Sequence, residues 1–302
     1  MKNKSMAGDP DNRQFVVVIV LTLIASMLPE IVSRELAGMV PVGLPFFRLA
    51  AMLLAGILSH FLKHSMVAKY TVVLGVIIST EILTKLVFSS LFWQEAFDRS
   101  KFVGSFGGSI LLKFIGILPV VGILLALFKS PQAVYLVKGD LSIKADGVKL
   151  LGIKHNSISW GKLAIISAAL ISLGTLLLTV ATVTGTSSIL NTGKLVKYFP
   201  YVIIFALINS MCEGIVFRSA ILGSLENVLP KKQVIWVAAM IFGIGHFYGA
   251  PSGILGVVMS VLLGWYMSRS MAETKGFVAS WIIHFMQDVV IFSTILLLGN
   301  YQ

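Results

Sequence analysis

Three short stretches carry the kind of polar side chains that activate water. They are "EGIVFR" at Glu213–Arg218, "FGIGH" at Phe242–His246 and "HFMQD" at His284–Asp288, each inside an otherwise apolar run. A charged side chain at the centre of a membrane helix costs about 2.5–3.5 kcal/mol to insert. For Glu213, Arg218 and Asp288 together the sum is roughly 9 kcal/mol, as large as a typical folding free energy. Side chains that costly should face the inside of a bundle and find partners there. A glutamate, two histidines and an aspartate are the groups needed to activate a water or to ligate a metal.

Spacing sharpens this. His284 and Asp288 are four apart, on one helix face and one turn from each other. Phe242 and His246 repeat that spacing, with Gly243 and Gly245 letting a neighbouring helix come close. Glu213 and Arg218 are five apart, about 140° around an α-helix, so they should not point the same way. Arg218 then reads as a side chain that snorkels or braces its helix. Counted from the basic ends of their apolar runs, Glu213, His246, His284 and Asp288 lie roughly 18, 18, 10 and 16 Å deep. Each histidine alone reads as a hydrogen-bonded core residue. At one level on three helices, the four polar groups read as a site.

The elements that must hold them are membrane helices. The chain has 302 residues, 57% hydrophobic and only 12% charged, against about 25% charged in soluble domains. Mean hydropathy is +0.92. The expected fold class is all-α, a polytopic membrane bundle of eight or nine spans: Phe15–Leu28, Leu44–Leu62, Thr71–Trp93, Phe102–Phe128, Ala164–Gly185, Tyr198–Leu225, Val234–Phe247, Ser252–Met271 and Phe277–Gly299. Three regions follow: membrane helices over 1–128, a basic loop over 129–163 with a β-hairpin, and a C-terminal membrane region over 164–302 that holds the site. The lone cysteine, Cys212, excludes an internal disulfide and reads as a packed small residue.

Net charge is +11, yet the lysines form no single stripe and nucleic acid is not expected as a partner. Placing the N-terminus in the cytoplasm puts fifteen flanking cations inside and five outside, a positive-inside pattern. The C-terminal Gln302 then lies outside, and the site lies nearer the cytoplasmic face. Of the remaining intramembrane charges, Glu81 and Lys85 read as a local pair, Arg48 as near a helix end, and Lys113 as snorkelling.

The three motifs, in this order, resemble the CPBP family, the CAAX proteases and bacteriocin-processing enzymes related to the type II CAAX prenyl endopeptidase. That family carries EExxxR, FxxxH and HxxxN or HxxxD on successive membrane helices. Here the likeness covers about Leu195 to Gly299, with one departure: Gly214 stands where the family has its second glutamate. The resemblance implies an intramembrane endopeptidase in a bacterial cytoplasmic membrane, acting on a membrane-associated peptide or protein. Glu213 and His246 would hold the water, while His284 and Asp288 would polarise the scissile carbonyl. Arg218 and Phe242 would support them. No cofactor is expected to be obligatory; should zinc bind, Glu213, His246, His284 and Asp288 would be its ligands. Restoring the carboxylate with Gly214→Glu should preserve or raise activity. The alternatives are an inactive relative of the same fold, serving bacteriocin self-immunity or as a scaffold, and less favourably a transporter. The latter lacks support from inverted repeats.

Overall fold

The computed structural model describes residues 12–148, 152–183, 192–249 and 251–298. The N-terminal lysines Lys2 and Lys4, Lys149 in the basic loop and the C-terminal Gln302, all used to assign orientation, lie outside those residues. Helix α1 (Asn12–Ala25) is followed at once by α2 (Leu28–Ala37). The two are bent by 58° at the break, where Pro29 withholds a backbone donor. Then come α3 (Leu44–Phe61), α4 (Ser65–Ser89), the short α5 (Leu91–Ala96) and α6 (Phe102–Phe128). After the basic loop follow α7 (Trp160–Val183), α8 (Thr192–Gly214), a π-helical turn (Ile215–Ser219) and α9 (Ala220–Leu225). The chain closes with α10 (Lys231–Ile244), α11 (Gly253–Thr274) and α12 (Val278–Leu298).

Seven of these helices are long and apolar enough to cross a membrane, α8 and α9 counting as one through the π-turn; the bent α1–α2 pair makes eight. The protein is therefore a multi-pass membrane protein, at the lower of the two expected counts. The expected span Val234–Phe247 fails on length. α10 has 14 residues, about 21 Å of helix against a hydrocarbon core of about 30 Å. Its chain stops short in the bilayer, and His246 lies in the turn beyond it.

Apolar side chains cover the outside. Leu53, Leu54 and Ile57 on α3, and Leu170, Leu173 and Leu177 on α7, are exposed; in a bilayer such a surface meets acyl chains. Inside, α8 packs on α12, α12 on α7 and α11, α10 on α11, and α6 bridges α4 and α8. Gly243 permits the α10–α11 contact, because a Cβ there would stand 2.3 Å from a Val261 methyl and 2.9 Å from the Val257 carbonyl.

The expected hairpin in the basic loop is reduced to two isolated antiparallel bridges, Lys144 with Ser159 and Val148 with Ile153, and no strand forms among the described residues. A hairpin this small needs support to persist, and the site-bearing helices supply it. The Trp160 indole N–H donates to Glu273 Oε2 at 2.7 Å. The Asp140 amide donates to the Thr274 carbonyl at 2.8 Å, and the Phe277 amide to the Val137 carbonyl at 2.8 Å. The loop thus clamps the turn between α11 and α12.

Candidate active site

Glu213 ends the last α-turn of α8, and the helix then widens into the π-turn that contains Arg218. The angle expected from ideal α geometry fails here. A π-turn closes i→i+5 contacts, so two residues five apart come round to nearly the same side. Both reach His284. Glu213 Oε2 stands 3.6 Å from His284 Nε2, and Arg218 Nη2 donates to His284 Nδ1 at 2.8 Å. Arg218 is fully buried, so it neither snorkels nor merely braces the helix.

That bond fixes the tautomer of His284. A guanidinium has donors only, so Nδ1 must accept and, in the neutral ring, Nε2 carries the proton. His284 therefore presents an N–H toward two carboxylates, Glu213 and Asp288, whose Oδ1 is also 3.6 Å from Nε2. Such separations are too long for direct hydrogen bonds, so the His284 N–H stands close to both carboxylates without being bonded to either. Asp288 sits one turn beyond His284 on α12, and its Oδ2 accepts from Asn209 Nδ2 at 3.0 Å.

His246 has the opposite tautomer. Its Nδ1 lies 2.7 Å from the Phe242 carbonyl, an orphan acceptor at the C-terminus of α10. Because a carbonyl only accepts, Nδ1 carries the proton and Nε2 keeps its lone pair. One imidazole is thus a donor and the other a base. Phe242 sits between them, with ring centroids 4.3 Å from His246 and 5.6 Å from His284, the second contact edge-on. The Arg218 guanidinium lies over the same ring at 5.3 Å. Phe242 and Arg218 thus both touch His284, Phe242 also touching His246.

Two members were missed. Lys113 on α6 was read as snorkelling, but it lies roughly 17 Å from one end of its helix and 22 Å from the other, beyond the reach of its side chain. Instead its Nζ donates to Glu213 Oε1 at 2.8 Å and to Asn209 Oδ1 at 2.5 Å. The polar groups form a ring, hydrogen-bonded from Glu213 through Lys113 and Asn209 to Asp288 and completed by His284 at 3.6 Å from each carboxylate. Two cations, Lys113 and Arg218, face two carboxylates. Position 214 is closed rather than open. A Cβ on Gly214 would stand 2.6 Å from Phe277 Cζ and 3.2 Å from Arg218 Nη2, so the Phe277 ring fills the space beside Arg218. A side chain at 214 must displace the Phe277 ring, which bears against the expectation that Gly214→Glu preserves activity.

Glu213, His246 and Lys113 line a cavity of about 380 Å³ whose other wall includes Arg48, Glu81 and Lys85. As expected, Arg48 lies near the start of α3 and Lys85 pairs with Glu81 at 2.7 Å, but both belong to a larger network. Arg48 is buried and donates to Glu30 at 2.6 Å, to Glu81 Oε2 at 3.0 Å and to the Ala25 carbonyl at 2.6 Å. Lys85 joins both carboxylates, so the local pair is a four-member network tying α2 to α3 and α4. Glu81 and Lys85 lie toward the end of α4 farther from the basic loop. The cavity runs from mid-helix toward that end, away from the cytoplasmic face near which the site was expected.

The donor set does not fit zinc as arranged. The Nδ1 of His284 is engaged by Arg218 and its Nε2 carries the proton, while a lysine ammonium already contacts Glu213. Among the described residues, no three His, Cys, Asp or Glu side chains are grouped to hold a metal ion.

Neither a curated protein nor a solved structure matches the chain. Residues 195–290, about a third of the chain and the source of every side chain in the polar ring except Lys113, match the family of type II CAAX prenyl endopeptidase Rce1-like proteins.

Proposed function

We propose that the protein is an intramembrane endopeptidase of CPBP type that hydrolyses a peptide bond of a membrane-associated protein or peptide. The observation that carries the reading is the opposite hydrogen bonding of two histidines near Glu213, one 3.6 Å from it and the other lining the same cavity. Glu213 Oε2 and the His246 Nε2 lone pair hold a water, and Glu213 takes its proton as the oxygen attacks the scissile carbonyl. The carbonyl oxygen becomes an oxyanion that receives the His284 Nε2–H. Collapse breaks the C–N bond, and the proton on Glu213 passes to the leaving amine. Asp288 holds Asn209 and faces the donor edge of His284. No step needs a metal, and the arrangement of Arg218 and Lys113 disfavours one.

The setting is the cytoplasmic membrane of a bacterium, with the basic loop inside and the lipid bilayer as solvent. One observation favours the second reading, a catalytically inactive relative. The family's second carboxylate is absent, and Phe277 fills its place. The test is the purified chain in lipid nanodiscs with membrane-embedded test peptides, after exhaustive chelation, with products read by mass spectrometry. Cleavage that survives chelation is expected. Loss that added zinc restores would overturn the metal-free mechanism, and no cleavage in any condition would favour the inactive relative.

A further inference from the structure

The polar ring closes only through a residue from outside the family-matched segment. Lys113 belongs to α6, whereas Glu213, Asn209, His284 and Asp288 all lie within residues 195–290. We propose that Lys113 is a positioning residue for the reaction, supplying the fixed positive charge that orients Glu213. The inference rests on the endopeptidase reading.

The geometry gives Lys113 a specific task. Its Nζ engages Glu213 Oε1 at 2.8 Å, while the other oxygen, Oε2, faces the His284 N–H at 3.6 Å. One oxygen is held by the ammonium, and the other is left toward His284. A carboxylate free to rotate presents either oxygen; a carboxylate tethered at one oxygen presents the same one at each turnover. The second bond, to Asn209 Oδ1 at 2.5 Å, decides the orientation of the Asn209 amide. With its oxygen toward the ammonium, its NH₂ must face Asp288, which it meets at 3.0 Å. Lys113 therefore sets two carboxylates at once, one directly and one through an amide. Its ammonium is a positive charge built into the chain beside Glu213.

The test uses the full chain in nanodiscs and compares Lys113→Met, which keeps length and removes charge, with Lys113→Arg, which keeps charge. Lys113→Met should lower kcat by about 100-fold or more with KM changed less than about threefold, the pattern of an interaction acting mainly after substrate binds. Lys113→Arg should recover most of that loss. Wild-type kcat in Lys113→Met, or equal losses in both variants, would overturn the role of charge.

A second measurement is independent of cleavage. In a thermal double-mutant cycle with Glu213→Gln, the doubly substituted chain should melt no lower than the less stable single variant. Additive shifts would overturn the pairing itself. If the wild type cleaves nothing yet the cycle shows coupling, the endopeptidase reading fails while the Lys113–Glu213 contact stands.

Discussion

At position 214 a single missing side chain redirects the chemistry of its neighbour. With no carboxylate there, Arg218 gives one N–H to His284 and lies over Phe242, while its Nε and Nη1 have no hydrogen-bond partner among the described residues. Gly214→Glu would push a side chain into Phe277, and overpacking of this kind typically costs about 1–3 kcal/mol. It would also offer Arg218 a stronger acceptor than an imidazole, releasing the hydrogen bond that fixes the tautomer of His284. The single variant should therefore lose most of its activity, and Gly214→Glu combined with Phe277→Ala should melt closer to the wild type. Full activity in the single variant would show that the ring moves aside and that His284 needs no guanidinium. The sequence revealed Glu213, His246, His284 and Asp288 because charged and polar side chains are conspicuous against apolar runs. It also held an unused signal for Asn209, one turn before Glu213 on the same face. For Lys113 the signal was depth, since a lysine stranded mid-span needs a partner. The Phe277 contact had none, because it joins two helices distant in the chain.

Among the elements, the π-turn at Ile215–Ser219 decides whether the motif works. Periodicity in the sequence presumes 3.6 residues per turn, and on that basis Glu213 and Arg218 diverge. One widened turn brings them to the same histidine, a local geometry that composition does not announce. Arg218→Met, within the turn, removes the guanidinium that reaches His284 and leaves the backbone of the turn in place. The variant should remain helical and inserted yet lose cleavage; retained activity would mean that the Arg218–His284 contact is dispensable. Helix α10 shows the other limit of sequence reading. Its apolar run predicted a span, but the helix ends at Ile244 and the following turn brings His246 to the cavity. The hairpin in the basic loop was legible as alternation and turn residues, but its small extent was not, because it depends on contacts with Glu273 and Thr274 far along the chain.

Across the whole molecule, the all-helical membrane bundle was readable from hydropathy alone, and cation asymmetry supplied an orientation that the helices themselves do not encode. With the basic loop in the cytoplasm, the cavity wall formed by Arg48, Glu81 and Lys85 lies toward the outer face. In a Cys212→Ser background, an impermeant thiol reagent applied to intact cells should label Lys85→Cys and spare Gly147→Cys. The reverse pattern would invert the orientation and place the cavity wall toward the cytoplasm. The central claim is that Glu213 activates the attacking water, and its most direct measurement is cleavage by purified Glu213→Gln. The substitution keeps the shape of the side chain and removes the base. Cleavage should fall by at least about 100-fold while helical content and assembly stay those of the wild type. Undiminished cleavage by that folded variant would contradict the account.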